Sequence, residues 1–213
     1  MSIAALKQKI VWLGHDGFRI DGAKTVYIDP YQIESTQPAD VILITHEHFD
    51  HCSPDDIAKI AGDDTVFVTE KDAAAKLSGD VRVVQPGDRV SVAGMTIEAV
   101  PAYNLDKDFH PKENGWLGFV IDIDGVRVYH AGDTDFIPEM RSLEVDIALL
   151  PVSGTYVMTA DQAVSAADAI RPELAVPMHF GAIVGDNSDA DTFKAALSGK
   201  VDVLIPRKNK TLV

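Results

Sequence analysis

One segment constrains this 213-residue chain more than any other, because it joins an apolar run to a dense group of ionisable side chains. Residues 41–45, VILIT, are almost entirely apolar and rich in β-branched residues, which predicts a strand buried on both faces. The sequence HEHFDH follows at once. Imidazole and carboxylate groups suit zinc and similar divalent cations, so we predict a metal site here. Its four candidate donors are His46, His48, Asp50 and His51.

The order of these residues excludes a common alternative. His46 and Glu47 begin like the HExxH motif of zinc proteases, in which two histidines lie one turn apart on a helix. That motif requires histidine where this chain has Asp50, and the preceding run predicts a strand rather than a helix. Alternate residues of an extended backbone point to the same side, so we expect His46 and His48 to face one cation together.

The whole chain predicts a single α/β domain over residues 1–213, with antiparallel strands first and alternating strands and helices later. Capping residues such as Ser53 and Thr159 mark helix starts, and Asp124-Gly125 predicts a tight hairpin turn. The predicted strands are 9–14, 18–21, 25–29, 41–45, 65–69, several within 81–102, a hairpin within 116–133, 145–152, 174–180 and 201–206. The predicted helices follow Ser53 and cover 70–79, 159–172 and 189–199.

Histidines recur where predicted strands end. His15, His46, His130 and His179 all stand at such positions. Strand ends meet at one edge of a sheet, so residues distant in the sequence are expected to converge there. The segment 103–115 is the one long stretch without strand or helix periodicity, and long loops inside compact domains are commonly functional. We therefore expect this loop to border the same site.

Charge and cysteine content limit the partners and the compartment. The net charge is −14 at pH 7, which disfavours binding to nucleic acid or to an anionic membrane. The single cysteine, Cys52, excludes an intramolecular disulfide. No secretion signal is present, and no apolar run approaches the roughly 20 residues that span a bilayer. We predict a cytoplasmic protein that acts on a small molecule and binds neither nucleic acid nor membrane, as a monomer or a homo-oligomer.

Several motifs, in chain order, resemble the metallo-β-lactamase superfamily, in particular its small metal-dependent hydrolases, which include lactonase-like members. The segment HEHFDH resembles the HxHxDH motif of that superfamily. LGHDGFRI and TVYIDP resemble its opening strands, YHAGDTD resembles its Gly-Asp-Thr motif, and PMHFG resembles its last histidine motif. The resemblance implies a four-layer αββα sandwich, in which two packed mixed β-sheets are flanked by helices.

The resemblance also implies which side chains bind metal. Asp133 matches a carboxylate that bridges two metals, while Asn104 stands where a first-site histidine is usual. An amide is a poor zinc ligand, so either the first site lacks a ligand or another residue supplies it. His110 is the best candidate for that residue. The other implied ligands are His46 and His48 at the first site, and Asp50, His51 and His179 at the second.

Other residues near these motifs are predicted to support the ligands or to contact substrate. His130 is expected to support a ligand from behind, and Asp29 to hold the second ring nitrogen of a ligand histidine. Cys52 is interpreted as a packed residue, and Glu47 as a supporting or solvated one. His15 is expected either to contact substrate or to cap a turn. The predicted substrate-binding residues are His15, Asn104, Lys112 and Tyr156, with Trp116 as a further lining residue.

The activity that the resemblance implies is dinuclear hydrolysis, in which a metal-bound hydroxide attacks a small ester, lactone or phosphoester. Asp50 would orient the hydroxide and pass a proton to the leaving group. Zinc suits the two sites best, and manganese or iron also tolerate these ligands. An oxygen- or nitric-oxide-reducing di-iron relative is disfavoured, because it requires glutamate where this chain has His48. The alternative is a non-catalytic or degenerate member of the fold, which Asn104 favours.

Overall fold

The computed structural model describes all 213 residues, which form 14 strands and five α-helices. The strands are β1 (Ile10–Gly14), β2 (Gly17–Asp21), β3 (Thr25–Ile28), β4 (Val41–Ile44), β5 (Val66–Thr69), β6 (Asp80–Val83), β7 (Arg89–Val92), β8 (Met95–Pro101), β9 (Leu117–Ile123), β10 (Val126–His130), β11 (Ile147–Pro151), β12 (Leu174–Met178), β13 (Asp202–Val203) and β14 (Lys210–Thr211). The helices are α1 (Ile3–Lys7), α2 (Pro54–Ile57), α3 (Lys71–Ala74), α4 (Ala160–Ile170) and α5 (Asn187–Ala196). None of these helices is long and apolar enough to cross a membrane.

The strands form two seven-stranded sheets, and each sheet is mixed. The first has the order β14-β1-β2-β3-β4-β5-β6, and the second β13-β12-β11-β10-β9-β8-β7. In the first sheet β1, β2 and β3 are antiparallel, whereas β3 to β6 run parallel. The second sheet repeats this succession, with β7 to β10 antiparallel and β10 to β13 parallel. The predicted change from antiparallel strands to strand–helix alternation therefore occurs within each sheet, not once along the chain.

Alternation of side chains within the first sheet explains how the layers pack. Val41 and Leu43 of β4 belong to the large core between the sheets, while Ile42 and Ile44 point to the opposite face. There they join a second core with Ile57, which lies in α2, and with residues around α3. All four β4 side chains are buried, which confirms the prediction of a strand buried on both faces.

Helices cover both outer faces, so the predicted αββα architecture of two packed mixed sheets is confirmed. The short helices α2 and α3 contribute to the core on the outer face of the first sheet. On the second sheet, α4 contacts β11 and α5 contacts β12. The side chain of Thr159 caps α4 together with Gln162, as their three-residue spacing predicts.

Three predicted elements are shorter in the structure, each for a local reason. After α2 the chain continues in tight turns, in which Lys59 N donates to Asp56 O and Ile60 N donates to Ile57 O. The cap at Ser53 therefore starts only one helical turn. The predicted helix 70–79 is regular only over α3, and the predicted strand 201–206 only over β13, which lies at a sheet edge. Neither α1 nor β14 is predicted from the sequence.

The topology brings several strand ends to one edge of the sandwich. β1, β3 and β4 run in the same direction in the first sheet, and β8, β10 and β12 do so in the second. Backbone hydrogen bonds join the two sheets at this edge, from Leu117 to Thr45 (3.0 Å) and from His179 to His15 (3.2 Å). The loops that carry the histidines therefore meet there.

Candidate metal centre

Nine histidine and aspartate side chains converge at this edge and form three groups of potential metal ligands, called donor groups below, two of which share His51 and His179. Within each group the potential ligand atoms lie within 4.8 Å of one another. All seven ligands predicted from the sequence are among them, joined by His15 and Asp16. The groups are His46, His48 and His110; His15, Asp50, His51 and His179; and Asp16, His51, Asp133 and His179.

The first group consists of three imidazoles packed around Trp116. His46 Nε2 lies 2.9 Å from His48 Nδ1, and the Trp116 ring lies within 4.7–5.4 Å of all three imidazole centroids. Burial, and then neighbouring His51, lowers the pKa of His46 well below its ordinary value; burial and then His110 lower the pKa of His48. Both rings are therefore neutral near pH 7, which is the form that binds a divalent cation.

The backbone of this motif turns after His48, since His51 N and Cys52 N both donate to His48 O, at 3.0 and 2.8 Å. The His46 and His48 rings lie side by side before the turn, with their centroids 4.6 Å apart. The turn also directs His51 to the second group, which contains His15, Asp50, His51 and His179. Residues 46–51 therefore contribute side chains to both the first and the second group.

His110 completes the first group, and Asn104 holds it there. His110 Nδ1 lies 3.1 Å from Asn104 Oδ1 and 3.2 Å from Tyr156 O. Because both neighbours are acceptors, Nδ1 carries the proton and the Nε2 lone pair is free for a cation. Asn104 Oδ1 also accepts from His110 N, and its Nδ2 donates to Tyr156 O. Both ends of the amide are engaged, so Asn104 orients His110; its contact with substrate stays a prediction.

Asp29 holds His51 in the predicted manner. His51 Nδ1 lies 2.8 Å from Asp29 Oδ2, and the same carboxylate accepts from Thr45 N and Thr45 Oγ1, at 2.8 and 2.7 Å. Burial alone would lower the pKa of His51, but Asp133 and Asp29 outweigh it and raise that pKa well above its ordinary value. The Nε2 atom of His51 is consequently directed away from Asp29, at 3.4 Å from Asp133.

His179 is held by Ser153, a residue not predicted from the sequence. Ser153 Oγ lies 2.7 Å from His179 Nδ1, and His179 Nε2 lies 3.4 Å from Asp133 Oδ2. Burial opposes protonation of His179, but Asp133 and then Asp16 raise its pKa to about 9. Ser153 follows β11 in a segment with no recognisable motif, so no sequence signal connects it to His179.

Asp133 lies between the first group (His46, His48 and His110) and the second group (His15, Asp50, His51 and His179). His110 Nε2 is 3.2 Å from its Oδ2, and both His51 and His179 are 3.4 Å from its carboxylate. Burial opposes ionisation of Asp133, but His179 and His51 hold its pKa well below the ordinary value. This buried, ionised carboxylate therefore contacts imidazoles of both groups.

Asp50 occupies the open side of the second group. Its Oδ2 lies 3.0 Å from His15 Nε2, and its side chain is 14% exposed. Burial would raise the pKa of Asp50, but the His15 hydrogen bond and then His51 lower it. His15 itself is buried, packs against His179 with ring centroids 4.3 Å apart, and contacts Asp50.

Two predicted substrate residues lie at the periphery. Lys112 Nζ is 3.0 Å from Tyr103 Oη and 3.1 Å from Glu139, so its charge is already paired on an exposed surface. Tyr156 packs its ring against Phe109 at 4.7 Å and contacts His110 through its backbone oxygen. Tyr156 therefore remains beside the site, whereas Lys112 has no contact with the ligand groups.

The remaining predicted residues support the site or lie outside it. His130 Nε2 lies 2.8 Å from Asp16 O, and His130 Nδ1 accepts from Gly132 N, so it holds two turns that carry site residues. Cys52 is buried in the second core, where burial raises its pKa to about 11, as expected for a packed thiol. Glu47 pairs with Lys76 at the surface.

Asp16 is the one member of the donor groups that was not predicted from the sequence as a site residue. It is fully buried in the turn between β1 and β2, and neither carboxylate oxygen has a hydrogen-bond partner. Burial raises its pKa well above the ordinary value, and His179 opposes that shift. The available signal was an acid next to His15 between two apolar strands, but the GHDG sequence equally suits an exposed turn.

Unpartnered atoms test whether a cation fits this centre. Buried polar atoms usually have hydrogen-bond partners, so unpartnered ones need a physical explanation. Such atoms here include His51 Nε2, His110 Nε2, His179 Nε2, Asp133 Oδ1 and both oxygens of Asp16, besides His15 Nδ1 and Trp116 Nε1. Imidazole nitrogens and carboxylate oxygens that converge without partners are suited to divalent cations. The residues present therefore fit bound metal.

Known proteins share this sequence pattern and this architecture. A family model described as the β-lactamase superfamily domain matches residues 9–179. The chain belongs to the metallo-β-lactamase superfamily. UPF0173 metal-dependent hydrolases of Thermoplasma acidophilum and Pyrococcus abyssi are 34% and 31% identical to this chain. Each match covers 96% of this chain, and the matches cover 97% and 98% of the two relatives, respectively.

Solved structures also support the assignment of this chain to the metallo-β-lactamase superfamily. A Parabacteroides distasonis protein, described as a metal-dependent hydrolase, is 35% identical with a TM-score of 0.84, over 94% of this chain and 93% of that one. The metallo hydrolase Igni18 of Ignicoccus hospitalis is 26% identical with a TM-score of 0.77, over 95% and 96%. The protein is thus a metal-dependent hydrolase whose candidate ligands are the converging histidines and aspartates.

Proposed function

We propose that residues 1–213 form a single domain whose hydrolysis depends on two divalent cations and whose substrate is a small ester, lactone or phosphoester. The observation that carries this proposal is the position of Asp133, whose buried carboxylate touches His110 of one donor group and both His51 and His179 of the other. The first cation would be held by His46, His48 and His110, and the second by Asp50, His51 and His179, with Asp133 shared.

The chain's own residues prepare these donors for binding. Burial keeps the His46 and His48 imidazoles neutral, and the outer hydrogen bonds to Asn104 and Asp29 aim His110 and His51 inward. When bound, two such cations lower the pKa of a shared water toward about 7 and polarise the scissile oxygen. Zinc is the cation we propose first, and manganese and iron suit the same mixed ligands.

Asp50 is the residue to which we assign proton transfer. Asp50 and His48 are the only members of the donor groups that are not fully buried, so they face the side from which water and substrate can enter. The hydrogen bond from His15 fixes Asp50 Oδ2, and its lowered pKa keeps it ionised near neutral pH. An ionised carboxylate at this position can take a proton from water and return it to the leaving group.

Aromatic side chains beside the open side favour a small substrate with an apolar part. Phe49, between His48 and Asp50, is 67% exposed, and Phe109, next to His110, is 51% exposed. Phe109 packs against Tyr156, which we retain as a substrate contact. The net charge of −14 disfavours a nucleic acid substrate. A cytoplasmic location and a possible homo-oligomer remain predictions from the sequence.

The alternative of a non-catalytic or degenerate member loses its main support. That alternative depended on Asn104 leaving the first site one ligand short. His110 lies within the first group, and Asn104 orients it. We therefore propose one function only.

A substrate panel tests this function. Protein loaded with zinc or manganese is assayed with lactones, carboxylic esters, thioesters and phosphodiesters, and we expect turnover of at least one class. His48→Ala removes a proposed ligand and should abolish that turnover. The matched control is Glu47→Gln, which changes the adjacent side chain and breaks only a surface pair with Lys76. Full turnover by the His48→Ala variant would contradict the proposal.

A further inference from the structure

Asp16 is positioned by the backbone and cannot easily leave the centre. It lies in the turn between β1 and β2, where Gly14 (φ +106°) and His15 (φ 50°) adopt left-handed conformations that reverse the chain tightly. Its backbone oxygen accepts from His130 Nε2 at 2.8 Å. The side chain is fully buried, so the turn presents a carboxylate to the interior rather than to solvent.

The environment of this carboxylate contains an unusual number of unpartnered atoms. Neither oxygen of Asp16 has a hydrogen-bond partner, and His51 Nε2, Asp133 Oδ1 and His179 Nε2 also lack one. These four residues are the members of a single donor group, all within 4.8 Å and all fully buried. Leaving a buried carboxylate without a partner is costly. A cation at the centre of the group would satisfy all four side chains together.

We propose that Asp16 is a further ligand of the second cation, one that neither its sequence context nor the resemblance assigns. The inference rests on the proposed function only in requiring that a second cation binds. Asp16 and Asp50 belong to two groups that share His51 and His179; Asp16 is fully buried, whereas Asp50 is partly exposed. The second site would then offer three carboxylates, those of Asp16, Asp50 and Asp133.

This ligand set has a consequence for the choice of metal. Zinc sites are mostly four-coordinate and built from nitrogen and sulfur, whereas carboxylate-rich sites of higher coordination number suit manganese and related cations. The first group offers three imidazoles and remains suited to zinc. With Asp16 as a ligand, the second site therefore suits the manganese class better than the first site does.

Metal binding by an Asp16→Asn variant tests the assignment. Wild-type and variant proteins are stripped, loaded with Mn²⁺, desalted and analysed for metal content, and the affinity is measured by competition with a chelator. We expect two Mn²⁺ per wild-type chain and one per variant chain. Asp56→Asn is the control, because it also changes a buried carboxylate but lies outside every donor group, and it should retain two. Circular dichroism establishes that each variant is folded.

The outcomes separate this inference from the proposed function. An Asp16→Asn variant that binds two Mn²⁺ with wild-type affinity would overturn the Asp16 assignment alone. Wild-type protein that binds fewer than two cations would overturn the dinuclear proposal, and this inference with it.

A crystal structure of Mn²⁺-loaded wild-type protein tests the same point without any variant. Anomalous scattering locates each cation, and we expect an Asp16 oxygen within bonding distance of the second one. Asp16 found instead as a protonated acid donating to Asp133, away from the cation, would overturn the assignment.

Discussion

Residues outside the donor groups determine how the histidines point. Four of the histidines have a partner on the ring nitrogen that faces away from the centre, and each partner comes from a different loop or strand end. Such outer contacts fix the tautomer and the orientation of a ligand imidazole, and they raise its basicity. The pairs are His46 with Thr45, His51 with Asp29, His110 with Asn104, and His179 with Ser153.

Removal of the Asn104 amide tests this principle. Asn104→Ala leaves His110 free to rotate, so we expect the affinity of the first site to fall by about 10- to 100-fold. Competition with a chromophoric zinc chelator measures the change. Asn114→Ala is the control, because Asn114 lies in the short 3-10 turn of the same loop and should leave affinity unchanged. Equal affinities for both variants would contradict the orienting role of Asn104.

The sequence predicted the candidate metal ligands better than the residues that hydrogen-bond to those ligands. HEHFDH and the later motifs identified seven side chains that the structure brings together, and Asp29 was predicted from its place at a strand end. Ser153 and Asp16 were missed, because each becomes significant only through a contact made by the tertiary structure. Sequence position alone could not reveal that Asn104 holds His110, because that hydrogen bond forms only when the loop folds back on itself.

At the scale of elements, close contact between β9 and the end of β10 shapes the edge that carries Asp133. Gly118 in β9 leaves no room for a side chain, since a Cβ there would lie 2.8 Å from both His130 O and Ala131 O. The absence of a Cβ lets these backbones approach closely. The turn at Gly132 that leads to Asp133 follows directly.

A Gly118→Ala substitution tests that close approach. We expect it to lower the free energy of unfolding by about 1–3 kcal/mol, because the backbone must shift to admit a methyl group. Gly62→Ala is the matched control, as a Cβ there meets nothing within 4 Å, and it should change stability by less than about 1 kcal/mol. Urea denaturation followed by circular dichroism measures both. Equal midpoints for the two variants would contradict the predicted clash.

Element types were predictable where a local signal agreed with the final packing. The β9–β10 hairpin has its turn at Asp124 and Gly125, both with positive φ, and α4 begins with the predicted cap. Helix lengths after Ser53 and Glu70 were overestimated, because caps mark where a helix starts but do not determine how far it extends. β14 was missed because its two residues pair with β1 from the far end of the chain.

For the whole molecule, two sheets with similar topology meet along an edge that concentrates buried charge. Asp16, Asp29 and Asp133 are all buried there, in a chain whose net charge is already −14. Buried carboxylates need compensating charge, which protonated histidines supply in part and divalent cations would supply more fully. This arrangement is why we treat the two cations as integral to the folded protein rather than as optional additives.

The number of cations per chain tests the account most directly. Purified protein is stripped with a chelator, loaded with excess zinc or manganese, desalted, and analysed for metal and protein in the same sample. We predict two tightly held cations per chain, because Asp133 contacts imidazoles of both donor groups. A value of one or none, under conditions in which the protein is folded, would contradict it.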